Sequence, residues 1–364
     1  MTVHVLDNYY LSITLLITIA YQLIAFAIAF SLKFDKITDF AGGTNFVLLS
    51  ILTLAIASTS SARNIIASLF IIIWAARLSG FLLFRILKTG KDDRFDDKRD
   101  KFFPFLGFFV FQMVWVWIVS MPVTVLNSPN VRQYHQPSFG TGCDIAGIIM
   151  WVIGFSMEAI SDVQKYLFRS NPDNKGKTCD KGLFSWSRHP NYFGEILTQF
   201  AVYTISLSPS AYNYVPSGSG AFAAQYASIV GPMFLTLLLL FVSGLTLQER
   251  PGAKKKYEAD GPDGEGWKQY KRWTERTSIL FPIPPQLYAP LPMIVKRTVL
   301  CEWPLYVFDP EKHADKDKMK NRRAEEGRSD DAEGQGQQRA SESTTVNEQS
   351  RERGGSKDNL VGRS

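Results

Sequence analysis

Cysteine is scarce. The 364 residues hold three, Cys143, Cys179 and Cys301, at spacings that fit neither a disulfide framework nor a metal site. The four histidines, His4, His135, His189 and His313, are scattered, so no zinc site is expected. No P-loop, no G-x-S-x-G nucleophile elbow and no H-E-x-x-H occurs. A G-x-G-x-x-A match, "GSGAFA" at 218–223, follows no strand and opens an apolar segment, so it is not the dinucleotide fingerprint of a parallel-sheet fold. The first apolar segment has neither a basic run nor a small-residue cleavage site, so a retained helix is expected there rather than a signal peptide. The last residues, "NLVGRS", carry no retention or peroxisomal signal.

What is present is block-like. Net charge is +6 and mean hydropathy is near zero, but apolar and charged residues are segregated along the chain. Seven apolar segments of spanning length lie near 9–31, 43–60, 65–87, 103–125, 144–168, 191–210 and 225–247. The loops after the odd-numbered segments are basic: Lys33 and Lys36; Lys88, Lys91, Arg94, Lys98, Arg99 and Lys101; Arg169, Lys175, Lys177, Lys181 and Arg188; Arg250 with Lys254–Lys256. The opposite loops hold little beyond Arg63 and Arg132. The positive-inside rule then puts the N-terminus outside and the C-terminus in the cytosol. The basic balance thus reads as membrane orientation, and no nucleic-acid partner is expected.

The expected fold is all-α: a polytopic membrane helical bundle of about seven transmembrane helices, with a cytosolic C-terminal docking region. Residues 1–64 form N-terminal transmembrane helices, 65–285 the main membrane domain, 286–310 an extended Pro-rich segment and 311–364 a disordered tail. "LFPIPPQLYAPLP" is extended on this reading because proline donates no N–H and restrains its predecessor. The tail has too few apolar residues to offset its ordering entropy. "GEGWKQYKRWTE" places Trp267, Tyr270 and Thr274 on one helical face.

Ionisable groups inside spans are costly and face cavities or each other. Arg77 and Arg85, eight apart, share a face of the third segment. Arg77 is expected in a buried pair or at a substrate cavity; Arg85 can equally snorkel to headgroups. Glu158, Asp162, Lys165 and Arg169 form one stripe of the fifth segment, read as a polar cavity wall. "SRHPNYFGE" at 187–195 crowds Arg188, His189, Asn191, Tyr192 and Glu195 at a helix start, with Pro190 at the first helical position. That start offers free N–H groups and a positive dipole to an anion.

These residues carry a resemblance. "LFSWSRHPNYFGE", "RLSGFLLFRILKTGKDDRFD", "FQMVWVWIVSMPV", "EAISDVQKYLFR" and "SGLTLQER", with "KKYEADGPDGEGWKQY" and "ILFP" after them, resemble the steroid 5-alpha-reductase-like membrane proteins, in particular their DUF1295 branch. The resemblance implies a bundle whose cytosolic half holds NADPH beside a lipid-accessible cavity for a sterol, terpenoid or lipid, and by family habit an endoplasmic reticulum location. It implies cofactor contacts from Asp162, Lys165, Arg169, Arg188, His189, Asn191, Tyr192 and Glu195, and from Glu249, Arg250, Tyr257 and Tyr270 in the tail region. Arg77 and Gln112 are placed at the substrate cavity. Steroid 5-alpha reductases polarise their enone with a tyrosine on the helix matching 65–87 and a glutamate from an earlier helix. This chain has Trp74 there and no Glu in its first two segments, so the catalytic acid is unassigned; the candidates are Tyr192 and Glu158, with Arg77 behind them. The expected activity is NADPH-dependent reduction of a C=C bond. Alternatives are an S-adenosylmethionine-dependent methyltransferase of the isoprenylcysteine carboxyl type, and a non-catalytic lipid or sterol binder.

Overall fold

A computed structural model of the chain describes residues 4–33, 37–89 and 100–315. The loop basics at 90–99 and the tail beyond 315 lie outside the described residues. The helices are α1 Leu11–Leu32, α2 Ile37–Ala57, α3 Ala62–Thr89, α4 Phe102–Val119, α5 Met121–Asn127, α6 Pro129–Arg132, α7 Gly142–Ser170 and α8 Pro190–Ala211. Then come α9 Gly220–Ala227, α10 Val230–Leu237, α11 Leu245–Asp260, α12 Glu265–Arg276 and the short α13 Pro285–Tyr288, α14 Met293–Thr298 and α15 Pro310–His313. No strand forms among the described residues, only isolated bridges. The chain is an all-α polytopic membrane bundle.

Among the described residues, six helical stretches are long and apolar enough to cross a membrane: α1, α2, α3, α4, α7 and the run Gly220–Asp260. The expected segment 191–210 forms the 22-residue α8 but is not among them. Its polar side chains explain this: Thr198, Gln199, Ser206, Ser208 and Ser210 are all buried. Turned inward, they bond locally, Thr198 to the Gly194 carbonyl at 2.9 Å and Ser206 to that of Val202 at 2.8 Å. Two other expected segments are interrupted. The fourth breaks at Ser120, just before Pro122 opens α5. The last contains Pro232 and a π-helical turn over Leu238–Val242.

α3 and α7 run parallel in fixed register. Arg63 pairs with Asp144, 81 positions on. Arg77 pairs with Glu158 at the same offset. Phe70 keeps that offset and stacks on Trp151 at 4.1 Å. The partners recur every seven residues, so a charged pair at each end brackets an aromatic stack along one seam.

α8 packs on the other side of α7 through glycines. A Cβ at Gly194 would lie 2.5 Å from the Gly154 carbonyl oxygen, and one at Gly154 would lie 2.7 Å from that of Gly194. Neither backbone can yield locally, so this crossing requires glycine on both helices. Gly194→Ala is therefore expected to cost about 1–3 kcal/mol of stability through overpacking. A thermal melt in detergent checks it, and an unchanged midpoint would show that the helices can part without loss.

The described chain divides into two compact units, Met1–Glu249 with Lys271–Val307, and Arg250–Tyr270 with Phe308–Ser364. The Pro-rich segment is not extended throughout. Its prolines start single helical turns at Pro285–Tyr288 and Met293–Thr298, because a proline at a helix start loses no hydrogen bond. Residues 311–315, expected as tail, are ordered: Asp309 caps a short helix and the Asp315 N–H donates to Glu258 at 3.1 Å.

Candidate active site

α3, α7 and α8 enclose a cavity of about 700 Å³. Because α3 and α7 are parallel, their side chains sort by depth. Glu158 and Asp162 of α7 and Glu195 of α8 line the inner part. Arg85 and Lys88 of α3 and Lys165 and Arg169 of α7 line it toward the ends of their helices. Asn191 and Tyr192, in the first turn of α8, complete the wall. The cavity thus has an acidic floor and four cations toward its outer end. The Asn191 Oδ1 is buried with no hydrogen-bond partner, an unmet acceptor beside that space.

Two of the floor acids, Glu158 and Asp162, are already engaged. Arg77 donates to Glu158 Oε1 and to Asp162 Oδ2, each at 2.5 Å, and to the Glu158 carbonyl at 3.0 Å. Trp74 Nε1 donates to the other Glu158 oxygen at 3.1 Å. The pairing therefore runs between helices and not along the α7 stripe. Arg77 is in the expected buried pair, but it does not line the cavity. Trp74, buried at the base of this cluster, helps fix Glu158 in place. Both Glu158 oxygens accept hydrogen bonds, so its carboxyl group is tied to Arg77 and Trp74 rather than free to turn toward a ligand.

A second cavity of about 290 Å³ adjoins the first. Its lining is mostly apolar: Phe108, Phe111 and Trp115 of α4, and Leu235, Leu238 and Leu239 of the last span. Gln112 stands among them and donates to the Thr38 carbonyl at 2.9 Å. Tyr192, Glu195, Arg85, Leu78 and Leu82 line both cavities. A polar chamber and an apolar one therefore share a wall, and Tyr192 stands in it. The π-helical turn places Leu238 and Leu239 on the apolar side, a local widening of the kind that accompanies function in other helices.

Arg188, His189 and Glu249 are placed differently from the expected cofactor contacts. Arg188 donates to Glu249 at 2.5 Å and to both oxygens of Glu302 at 2.5 Å. Glu302 also accepts from Tyr288 Oη at 2.7 Å and from the Ile279 N–H at 3.0 Å. His189 Nε2 lies 2.6 Å from Glu249. Burial pushes the His189 pKa down, against the pull of Glu249, so the ring is neutral. Nε2 then donates, and Nδ1, which has no partner, stays bare. None of the three lines the cavity. They tie the start of α8 to the 279–302 segment, and the His189 ring stacks on Tyr192 at 5.1 Å and 5°. Glu302 had no signal in the sequence, because its partner Arg188 lies 114 positions away, and Tyr288 joins the cluster only through Glu302.

Arg250, Tyr257 and Tyr270 belong to the second unit. There Tyr257 meets Trp267 edge-on at 5.2 Å, Trp267 stacks on Tyr270 at 5.8 Å, and Phe308 contacts both Tyr257 and Trp267. Tyr257 and Tyr270 thus form an aromatic core within that unit.

The family described as "Protein of unknown function (DUF1295)" matches residues 25–274. The chain belongs to the DUF1295 family. Every residue lining either cavity falls inside the DUF1295 match, whereas Tyr288 and Glu302 of the clamp fall beyond it. Among curated proteins, the chain is 44% identical over 46 residues to the probable O-methyltransferase ustE of Ustilaginoidea virens, a stretch that covers 13% of this chain and 16% of that protein. The likeness therefore spans about a sixth of the relative's length. No solved structure matches the chain.

Proposed function

We propose that this DUF1295 protein is a membrane-embedded reductase of a C=C bond in a hydrophobic substrate, using NADPH. The observation that carries the reading is the pair of adjoining chambers, one polar with four cations, one apolar, with Tyr192 in their common wall. NADPH, when bound, supplies the hydride. Arg85, Lys88, Lys165 and Arg169 offer the charge-assisted donors that phosphate oxygens need. The unmet Asn191 Oδ1 suits an amide or hydroxyl donor of the same ligand. A cavity near 700 Å³ is in the range of cofactor sites. The apolar chamber excludes water and holds the substrate. Tyr192 delivers the proton to the carbon left after hydride addition, since Glu158 is held by Arg77 and Trp74. Reduction then balances as one hydride and one proton added across the double bond. The basic ends of the odd-numbered spans favour a cytosolic cofactor mouth, in the endoplasmic reticulum membrane.

A second reading, S-adenosylmethionine-dependent methyl transfer, is favoured by the short likeness to the probable O-methyltransferase. The cation set argues against it, because the methyl donor carries a sulfonium cation and no phosphate. A thermal-shift titration of the detergent-purified protein separates the two. NADPH is expected to stabilise it, by about 2.7 kcal/mol at a hundredfold excess over Kd. Stabilisation by S-adenosylmethionine with none by NADPH would reverse the assignment. Arg169→Ala is expected to weaken NADPH binding by about 1.5–3 kcal/mol, the worth of a hydrogen bond to a charged group. Arg188→Ala is expected to lower the melting temperature instead, because it removes the guanidinium that Glu249 and Glu302 share. A titration of each variant checks this; equal affinity loss in both would put Arg188 at the cofactor.

A further inference from the structure

The segment 279–307, beyond the family match, is tied to the bundle by one face only. Ile279, Leu280, Tyr288, Leu300 and Tyr306 are buried, and Glu302 is held in the Arg188 clamp. The other face is bare: Leu287 (64% exposed), Met293 (56%), Ile294 (71%), Val299 (62%), Leu305 and Val307 point outward within 21 residues. Six large apolar side chains in so short a stretch exceed the scattered exposure normal for a surface. The segment also lacks acid. Glu302 is the only carboxylate between Ser278 and Asp309, and it is consumed by Arg188, Tyr288 and the Ile279 N–H. Arg297 is exposed beside the apolar residues.

Its position says what covers it. Trp303 stacks on Phe241 of the last span at 5.1 Å and 8°. Tyr306 Oη donates 2.7 Å to the carbonyl of Leu240, next in line. Phe241 and its neighbour Val242 are themselves exposed on that span, where bilayer is the surrounding medium. The bare face of 279–307 therefore continues a lipid-facing surface.

We infer that residues 285–307 form an interfacial strap that lies in the membrane surface, with its aliphatic side chains in the acyl boundary and Arg297 against anionic headgroups. Trp303, which is partly exposed, supplies an aromatic ring typical of that depth. An apolar face with a basic flank is the pattern of helices that lie in the interface plane, and anionic lipid favours the basic side. The inference is independent of the activity proposed above.

The test uses the intact, unmodified chain in nanodiscs of phosphatidylcholine and phosphatidylserine, with a photoactivatable diazirine in the phosphatidylcholine acyl chain. After photolysis and proteolysis, lipid adducts are expected on peptides covering Met293–Val299 and Leu305–Val307, as well as on Phe241–Val242. Adducts on Phe241–Val242 with none on the strap would overturn the inference. The double variant Ile294→Asp/Val299→Asp is expected to lose the strap adducts while retaining those on Phe241–Val242. A second copy of the chain is the rival occupant: dimers of the wild-type protein that dissociate in the double variant, seen by light scattering, would overturn the lipid assignment.

Discussion

Tyr192→Phe is expected to lower kcat by about 10²- to 10⁴-fold, the usual worth of a positioned general acid, with NADPH affinity little changed. The substitution removes only the hydroxyl. The ring, its 5.1 Å stack on His189 and the wall between the two chambers remain. A loss in kcat with intact affinity therefore reads the proton and not the pocket. Glu195 lines the same two chambers, so Glu195→Gln is the comparison to make. If Glu195→Gln abolishes turnover and Tyr192→Phe does not, the carboxyl supplies the proton and Tyr192 only shapes the wall. Single-turnover kinetics on both variants, with NADPH affinity measured beside them, decides between these. His189→Ala is a useful third arm, since it removes the ring beneath Tyr192 without touching the hydroxyl.

Much of this site was visible as spacing. Glu158, Asp162, Lys165 and Arg169 recur at helical intervals, and lipid cannot surround such a stripe, so a polar cavity followed from the sequence alone. All four line the larger chamber. Glu195 likewise sits one turn beyond Asn191 and Tyr192 at a proline-marked helix start. What the spacing could not reveal was pairing across the fold. Arg188 had the look of a phosphate ligand, because nothing near it in sequence neutralises it. Its actual partners, Glu249 and Glu302, come from the end of the last span and from the strap. Arg85 stood open between snorkelling and facing inward, and spacing alone could not reveal that it lines both chambers. The glycine contact of Gly154 and Gly194 left no trace in periodicity either, because a missing side chain makes no pattern. Helix identity follows from local composition; which helices face one another depends on contacts between residues dozens of positions apart.

Arg63 is the clearest case, and its removal carries the largest expected cost in stability. In the sequence it is a lone charge at the start of an apolar segment. In the structure it is 1% exposed, and Asp144 is fully buried. Arg63 donates Nε and Nη2 to the two Asp144 oxygens at 2.8 Å each, and Nη1 to the Pro137 carbonyl at 3.1 Å. Asp144 also accepts from the Gly140 and Thr141 N–H groups and the Thr141 hydroxyl, closing the start of α7. Replacing one member strands the other as an uncompensated buried charge, which costs about 3–5 kcal/mol. Arg63→Met is therefore expected to lower Tm sharply. Arg63→Met/Asp144→Asn should recover part of the loss, since the stranded carboxylate is gone while a side chain that can still accept from the Thr141 and Gly140 N–H groups remains. Melting curves of the two variants in one detergent are the measurement. Equal losses in both would mean that the contacts of the guanidinium with the 137–138 carbonyls, and not the ion pair, set the register of α3 on α7. That register matters beyond stability, because the same 81-position offset brings Arg77 to Glu158 at the floor of the larger chamber. A slip at the Arg63 end would carry through the Phe70–Trp151 stack and displace the carboxylates that Arg77 holds.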